Sequence, residues 1–267
     1  MSDLKSTHMD TTTDDEEKKT SDNSLSKLSE EEEKKMRSIK TPLDVMLTAQ
    51  GFTEEQILFL YAIHVGRVHH RAVCGNKKNK RSLADNYQVF SALLGMSGSG
   101  KHLLTRASMI AAEEAGAPVG MWHPTLPLAD AAFAASPSGI LLLSGKGMMA
   151  EGSQFFQIVS GEAFVAHTQL GAKIVLSGAR VPYLIYEGAE LPAEFEAKND
   201  RSGGVRRRMI RVASSKIIQG EMDWPQKLVA AKAELLEKGM LAYRRLLAST
   251  EDGGLLKVPA EFMRADE

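Results

Sequence analysis

The chain has 267 residues, 33 Lys plus Arg against 34 Asp plus Glu, 43% hydrophobic residues and one cysteine, Cys74. That length accommodates one large domain with flanking pieces, and a lone cysteine excludes an internal disulfide framework and fits a reducing, cytoplasmic compartment. The densest apolar run, Ile140 to Leu143, falls far short of the roughly 18 residues a membrane span needs, and the polar N-terminus lacks the apolar core of a secretory signal.

Composition changes along the chain. Residues 1–40 carry 8 Lys/Arg, 11 Asp/Glu and few large apolar side chains, so they are expected to form a disordered acidic tail that cannot offset its ordering entropy. Within the tail, Glu30 to Glu33 followed by Lys34 and Lys35 have the spacing of a short surface helix with i,i+4 pairs. Order is expected from Thr41-Pro42 onward. Thr53-Glu54-Glu55-Gln56 reads as a capping box that opens a helix.

From Gln56 through Ala84 no acid occurs, while Arg67, Arg71, Lys77, Lys78, Lys80 and Arg81 accompany His64, His69 and His70. This basic island, inside a helical extension spanning 41–84, is a candidate phosphate-contacting surface for DNA or RNA. Its closing loop supplies the nucleic-acid candidates Lys77, Lys78, Lys80 and Arg81. A basic helical face explains the same residues without a ligand. His70 and Cys74 stand one helical turn apart, but no second cysteine pair accompanies them, so no metal site is expected.

Beyond the island, short apolar runs alternate with alanine-rich helical stretches. Strands are expected at Tyr87–Leu94, Ile140–Leu143, Ala172–Leu176 and Arg207–Ala213, with helices at Leu103–Ala115, Leu126–Ala135 and Ser153–Val159. One long helix is expected over Trp224–Leu247. Strands separated by helix-sized segments imply parallel crossovers and an α/β core over 85–215, with a helical cap and tail over 216–267.

The sharpest motif is Gly95-Met96-Ser97-Gly98-Ser99-Gly100-Lys101-His102, set between a strand-like and a helix-like run. Glycines let successive backbone N–H groups turn toward phosphate oxygens, the helix N-terminus adds a favourable dipole, and Lys101 reaches the terminal phosphates. Gly95, Gly98, Ser99, Gly100, Lys101 and His102 are therefore the candidate ATP-binding residues. The hydroxyl that normally follows the lysine and binds Mg²⁺ is replaced by His102, and Ile140–Leu143 runs into Ser144-Gly145-Lys146 instead of an acid. Mg²⁺ is not expected to be held as in an intact site.

The order of these segments resembles superfamily-3 helicases, most closely the helicase half of phage and plasmid primase–helicases. The likeness runs from the loop and the Ile140–Leu143 strand through Val159-Ser160-Gly161-Glu162-Ala163-Phe164-Val165-Ala166-His167, then Lys173-Ile174-Val175-Leu176-Ser177, to Gly203-Gly204-Val205-Arg206-Arg207-Arg208. It implies an AAA+-like phosphate-loop α/β fold and a DNA helicase or translocase module of a replication system. It also implies a homo-oligomer or ring, with priming left to a separate primase or a replication initiator. By the same resemblance Lys101 is catalytic and Arg206, Arg207 and Arg208 lie in the arginine-finger region, acting across a subunit boundary. Glu162 and His167 fall near the DNA-contacting pore loop, and Lys173–Leu176 match the sensor strand with Ser177-Gly178 replacing its polar residue. Two alternatives stand beside this reading: a nucleotide- or nucleic-acid-binding protein that has lost hydrolysis, and a structural assembly protein whose glycine loop is accidental.

Overall fold

A computed structural model describes residues 28–76, 88–123, 127–136, 138–144, 152–177, 181–192, 204–217, 223–250, 256 and 258–263. Four helical segments come first: α1 (Glu30–Ser38), α2 (Pro42–Gln50), α3 (Glu54–Tyr61) and α4 (Val68–Asn76), the last two joined by a π-helical stretch, Ala62–Arg67. Their starts are written in the sequence. Ser29 with Glu32, Thr41 with Asp44 and Thr53 with Gln56 each form a reciprocal capping box, which satisfies two otherwise unpaired backbone donors per helix.

The α/β core follows as β1 (Phe90–Gly95), α5 (Lys101–Glu114), β2 (Val119–Met121), α6 (Leu128–Ala134), β3 (Ile140–Ser144), α7 (Gly152–Ser160), β4 (Phe164–His167), β5 (Lys173–Leu176), β6 (Tyr183–Gly188), α8 (Gly204–Arg208) and β7 (Met209–Ser214). Five strands form a parallel sheet in the order β2-β3-β6-β1-β7. Side-chain alternation sends Leu93, Ile140, Ile185, Ile210 and Val212 to one face, against α5 and the helical layer. Phe90, Ala92, Leu94, Leu141, Leu143, Leu184 and Tyr186 face the other way, toward α6 and α7. The fold is a mostly parallel α/β sheet covered on both faces, as the sequence pattern implied.

Three expectations change. Lys173–Leu176 is not a strand of the main sheet: β5 pairs antiparallel with β4 in a separate hairpin. The central position beside β1 belongs to β6. Order does not wait for Thr41, because Ser29 caps α1 and Met36 is fully buried. Arg244 and Arg245 reach Glu32 and Glu33 across the contact between α1 and the C-terminal helix. That helix itself breaks, into α9 (Trp224–Ala230) and α10 (Lys232–Ser249), with Ala231 as the joint. No proline or glycine marks the joint; α9 packs on α2 and α5, while α10 packs chiefly on the π-helical stretch, α3 and α1, so tertiary contacts set the bend.

The basic island also divides. His64 and Arg67 are buried, at 0% and 1% exposure, so the first half of the island is core and not a phosphate-contacting face. The Arg67 guanidinium lies 5.0 Å over the Tyr183 ring. Ser108 Oγ donates to the Leu104 carbonyl at 3.2 Å, which leaves it to accept from His64 Nδ1 at 3.1 Å. Nε2 then accepts from Ser91 Oγ at 3.1 Å, and Ser91 accepts from the Tyr183 hydroxyl at 2.6 Å. One directional chain thus fixes the imidazole tautomer beneath β1. Lys77, Lys78, Lys80 and Arg81 lie outside the described residues.

Candidate phosphate-loop site

The turn between β1 and α5 sits at the carboxyl end of a strand flanked on both sides, where open parallel sheets form ligand crevices. Glycine is required for its shape. Gly98 and Gly100 have φ of 81° and 82°, in the left-handed region that side chains rarely adopt. A Cβ on Gly95 would stand 2.4 Å from the Ser214 carbonyl oxygen of β7. Lys101 is the first residue of α5, and its Nζ donates to the Met96 carbonyl at 3.0 Å, folding back over the loop. Ser99 is buried, and its hydroxyl lies beside Gly95 without a hydrogen-bond partner among the described residues.

The helical layer holds this loop. Gln50, at the end of α2, donates through Nε2 to the carbonyls of Ser99 and Lys216, each at 2.7 Å. Its Oε1 accepts the Lys216 backbone N–H at 3.3 Å. One amide therefore ties the phosphate loop to the residues leaving β7, a brace that loop-centred sequence reasoning does not reveal.

A second residue was missed, and it is chemically the more consequential. Glu187 lies near the carboxyl end of β6, in register with Leu93 of β1. Its Oε2 accepts from Thr105 Oγ1 at 3.0 Å and stands 3.5 Å from His102 Nδ1. The Ile140–Leu143 strand does end without an acid, at Ser144, but the strand between it and β1 brings one. The signal was present as Val181-Pro182-Tyr183-Leu184-Ile185-Tyr186-Glu187, an apolar run ending in an acid. The Mg²⁺ of a phosphate-loop site does not fit these residues well, since His102 occupies the hydroxyl position. Among the described residues no group of three or more His, Cys, Asp and Glu could hold a metal by itself, and His70 and Cys74 form only a 3.6 Å contact.

The arginines lie elsewhere. α8 leads directly into β7, and β7 runs parallel to β1 with Met209 opposite Phe90. Arg206, Arg207 and Arg208 therefore sit at the amino end of the sheet, about 17 Å from the loop, one β1 length away. Arg208 bonds the Gly204 carbonyl and Gln88 Oε1, each at 3.2 Å, whereas the Arg207 side chain is exposed. The sequence-derived set is thus not one cluster: Lys101 and His102 join Glu187, and the helix that carries the arginines lies at the other end of the sheet.

Glu162 and His167 fall on the segment that enters the hairpin. Gly161, at φ 69°, ends α7 with Gly161 N bonded to the Ile158 carbonyl at 3.2 Å and Glu162 N to that of Gln157 at 2.9 Å, a paired helix C-cap. His167 is held by Asp130, which accepts its backbone N–H at 2.7 Å and faces its Nδ1 at 3.4 Å. Val165 pairs with Val175 and His167 with Lys173 on the exposed face of the hairpin, and Leu170 at the tip is 97% exposed.

No protein-family model matches the chain, and no curated protein matches it. Among solved structures, the apo C-terminal region of NrS-1 is 12% identical with a TM-score of 0.49, over 81% of this chain and 48% of that one. NtrX from Brucella abortus in complex with ADP is 16% identical with a TM-score of 0.34, over 72% of this chain and 57% of that one. The JCV helicase is 12% identical with a TM-score of 0.33, over 82% and 64%. This chain spans about half the length of the NrS-1 region. At these identities and TM-scores the likeness concerns fold alone, and the site is read from its own geometry. What fold and site together define is a parallel α/β domain with a phosphate-type loop at the carboxyl end of an interior strand.

Proposed function

We propose that this chain is an ATP-binding, superfamily-3-like helicase or translocase module that works on DNA in a phage- or plasmid-type replication system, as a head-to-tail oligomer. The loop carries the reading: left-handed glycines, an N-terminal helix end and Lys101 meet at the carboxyl end of β1, an interior strand of the sheet, the arrangement that binds a polyphosphate. Glu187 is the acid available beside the bound phosphates. The hairpin, with His167 and Lys173 side by side, is the nucleic-acid element of this reading, with Glu162 at its base. Lys77, Lys78, Lys80 and Arg81 are proposed to add phosphate contacts. A separate primase or initiator is the expected partner.

Lys101→Ala tests the reading. Among the described residues Lys101 Nζ bonds only a loop carbonyl, and it packs no core, so the fold stays and binding of a fluorescent ATP analogue falls at least about tenfold, roughly 1.4 kcal/mol. Unchanged affinity makes the loop structural. A second reading, nucleotide binding without brisk hydrolysis, is favoured by His102 in the hydroxyl position. Turnover measured with and without single-stranded DNA separates the two.

The oligomer has its own test. Arg207 cannot serve the loop of its own chain, so in this reading it offsets charge developing on a neighbour's phosphate. Lys101→Ala and Arg207→Ala proteins are each expected to be inactive or poorly assembled alone. Their mixture recovers activity or assembly, because one intact loop can meet one intact arginine. A mixture no better than its parts rejects the shared site.

A further inference from the structure

The first turn of α5 carries an imidazole where a hydroxyl usually stands, and the neighbouring strand brings a carboxylate to it. We infer that His102 and Glu187 together form half of a cation site, completed by nucleotide phosphate oxygens, that takes a first-row transition ion such as Mn²⁺ or Co²⁺ in preference to Mg²⁺. The inference rests on the nucleotide-binding reading above and specifies the cation of that site. Three observations carry it. His102 Nδ1 and Glu187 Oε2 are 3.5 Å apart, a separation that two ligand atoms keep around one ion at bonds of about 2.1 Å. Thr105 Oγ1 donates to the same carboxylate at 3.0 Å from one turn farther along α5, orienting Glu187 as outer-shell donors orient metal-bound carboxylates. Register places Glu187 opposite Leu93, two residues before the loop begins at Gly95, so the pair borders the space where Lys101 meets phosphate.

The chemistry then selects the ion. Mg²⁺ is hard, prefers oxygen and dehydrates reluctantly. A mixed set of one imidazole nitrogen, one carboxylate and phosphate oxygens gains affinity along the first-row series, with Co²⁺ above Mn²⁺. His102 is mostly exposed, its side chain at 72%, while that of Glu187 is at 21%. The carboxylate is therefore the fixed ligand and the imidazole the one that swings onto the ion. Nothing else in the site need move.

The experiment is calorimetric titration of the full chain with a non-hydrolysable ATP analogue at saturating MgCl₂, MnCl₂ or CoCl₂, or in EDTA. Affinity is expected to rise from Mg²⁺ through Mn²⁺ to Co²⁺, by about tenfold overall, in the order of the first-row series. His102→Ser should erase the difference between the ions, and Glu187→Gln should bring all three to the EDTA value. Pulsed electron resonance of the Mn²⁺ complex should show nitrogen coupling from an imidazole that His102→Ser removes. Binding that needs Lys101 but is indifferent to the ion overturns the metal site alone, and means that His102 and Glu187 are simply an ion pair. No binding under any condition overturns the nucleotide reading and the metal site together.

Discussion

Asp44→Ala is expected to cost about 3–5 kcal/mol, a large share of the roughly 5–15 kcal/mol that holds a domain together. Asp44 and Lys238 form an ion pair with side chains only 10% and 3% exposed. The carboxylate also accepts the Thr41 backbone N–H at 2.8 Å and the Tyr61 hydroxyl at 2.9 Å. Lys238 has the Ile39 carbonyl at 2.9 Å and the Tyr61 ring 4.8 Å away as its further partners. Removing Asp44 therefore strands a buried ammonium and two donors together. Burial, and then the charge of Asp44, push the Tyr61 phenol well above its usual value. Lys238→Met should cost less, about 1–3 kcal/mol, because Thr41 and Tyr61 still solvate the carboxylate. The two substitutions combined should cost less than their sum by about 1 kcal/mol or more. Urea denaturation of the four proteins measures this, and strict additivity would mean that the pair is not coupled.

Acid should unfold the protein through His64 before the carboxylates titrate. Complete burial, followed by the nearby positive charge of Arg67, lowers its pKa from 6.5 to about 3. The folded chain thus keeps the ring neutral while the unfolded chain protonates it below about 6.5. Stability is full above that pH. It falls by about 1.4 kcal/mol per unit below it and levels off near the folded value, so roughly 2 kcal/mol is lost between pH 6.5 and 5. His69 is lowered too, by burial against the opposing charge of Glu114, and adds a loss of the same sign. Glu55, lowered by Arg245 and Arg37, loses its contribution only as pH falls through the carboxylate range. The window from 6.5 to 5 therefore isolates histidines. His64→Gln can still bond Ser91 and Ser108 but cannot titrate, so its unfolding free energy should be flatter there. The same slope in both proteins would assign the transition to another group.

The central unit was legible because its signals are local. An apolar run, a glycine loop and a helical stretch gave β1, the turn and α5 with boundaries shifted by a few residues. The neighbouring strand was misassigned for a physical reason. Lys173–Leu176 has the alternation of a strand with one wet face, and its exposed Lys173 and Val175 show that it is one. Tyr183–Tyr186 is apolar without alternation, and all four residues are buried, the mark of a strand covered on both sides. Weighing that contrast would have placed Glu187 beside the loop. The helical layer was less readable. The cap of α3 could be seen, but whether His64 and Arg67 face water or core depends on Ser91, Ser108 and Tyr183, 24 or more positions away. Gln50 has the same difficulty, since its partners Ser99 and Lys216 meet it only after the sheet forms.

The length of β1 also sets a counting rule. With the loop at one end of the strand and Arg207 at the other, the proposed head-to-tail contact would join unlike surfaces, and such a contact does not stop at two. On the composite-site reading, an open row leaves one idle loop and one idle arginine at its tips. A pair of chains then holds a single finished centre, three hold two, and only closure gives each chain its own. Specific activity should therefore climb with protein concentration in small steps and jump when the row closes, so dilution alone would act as an off switch.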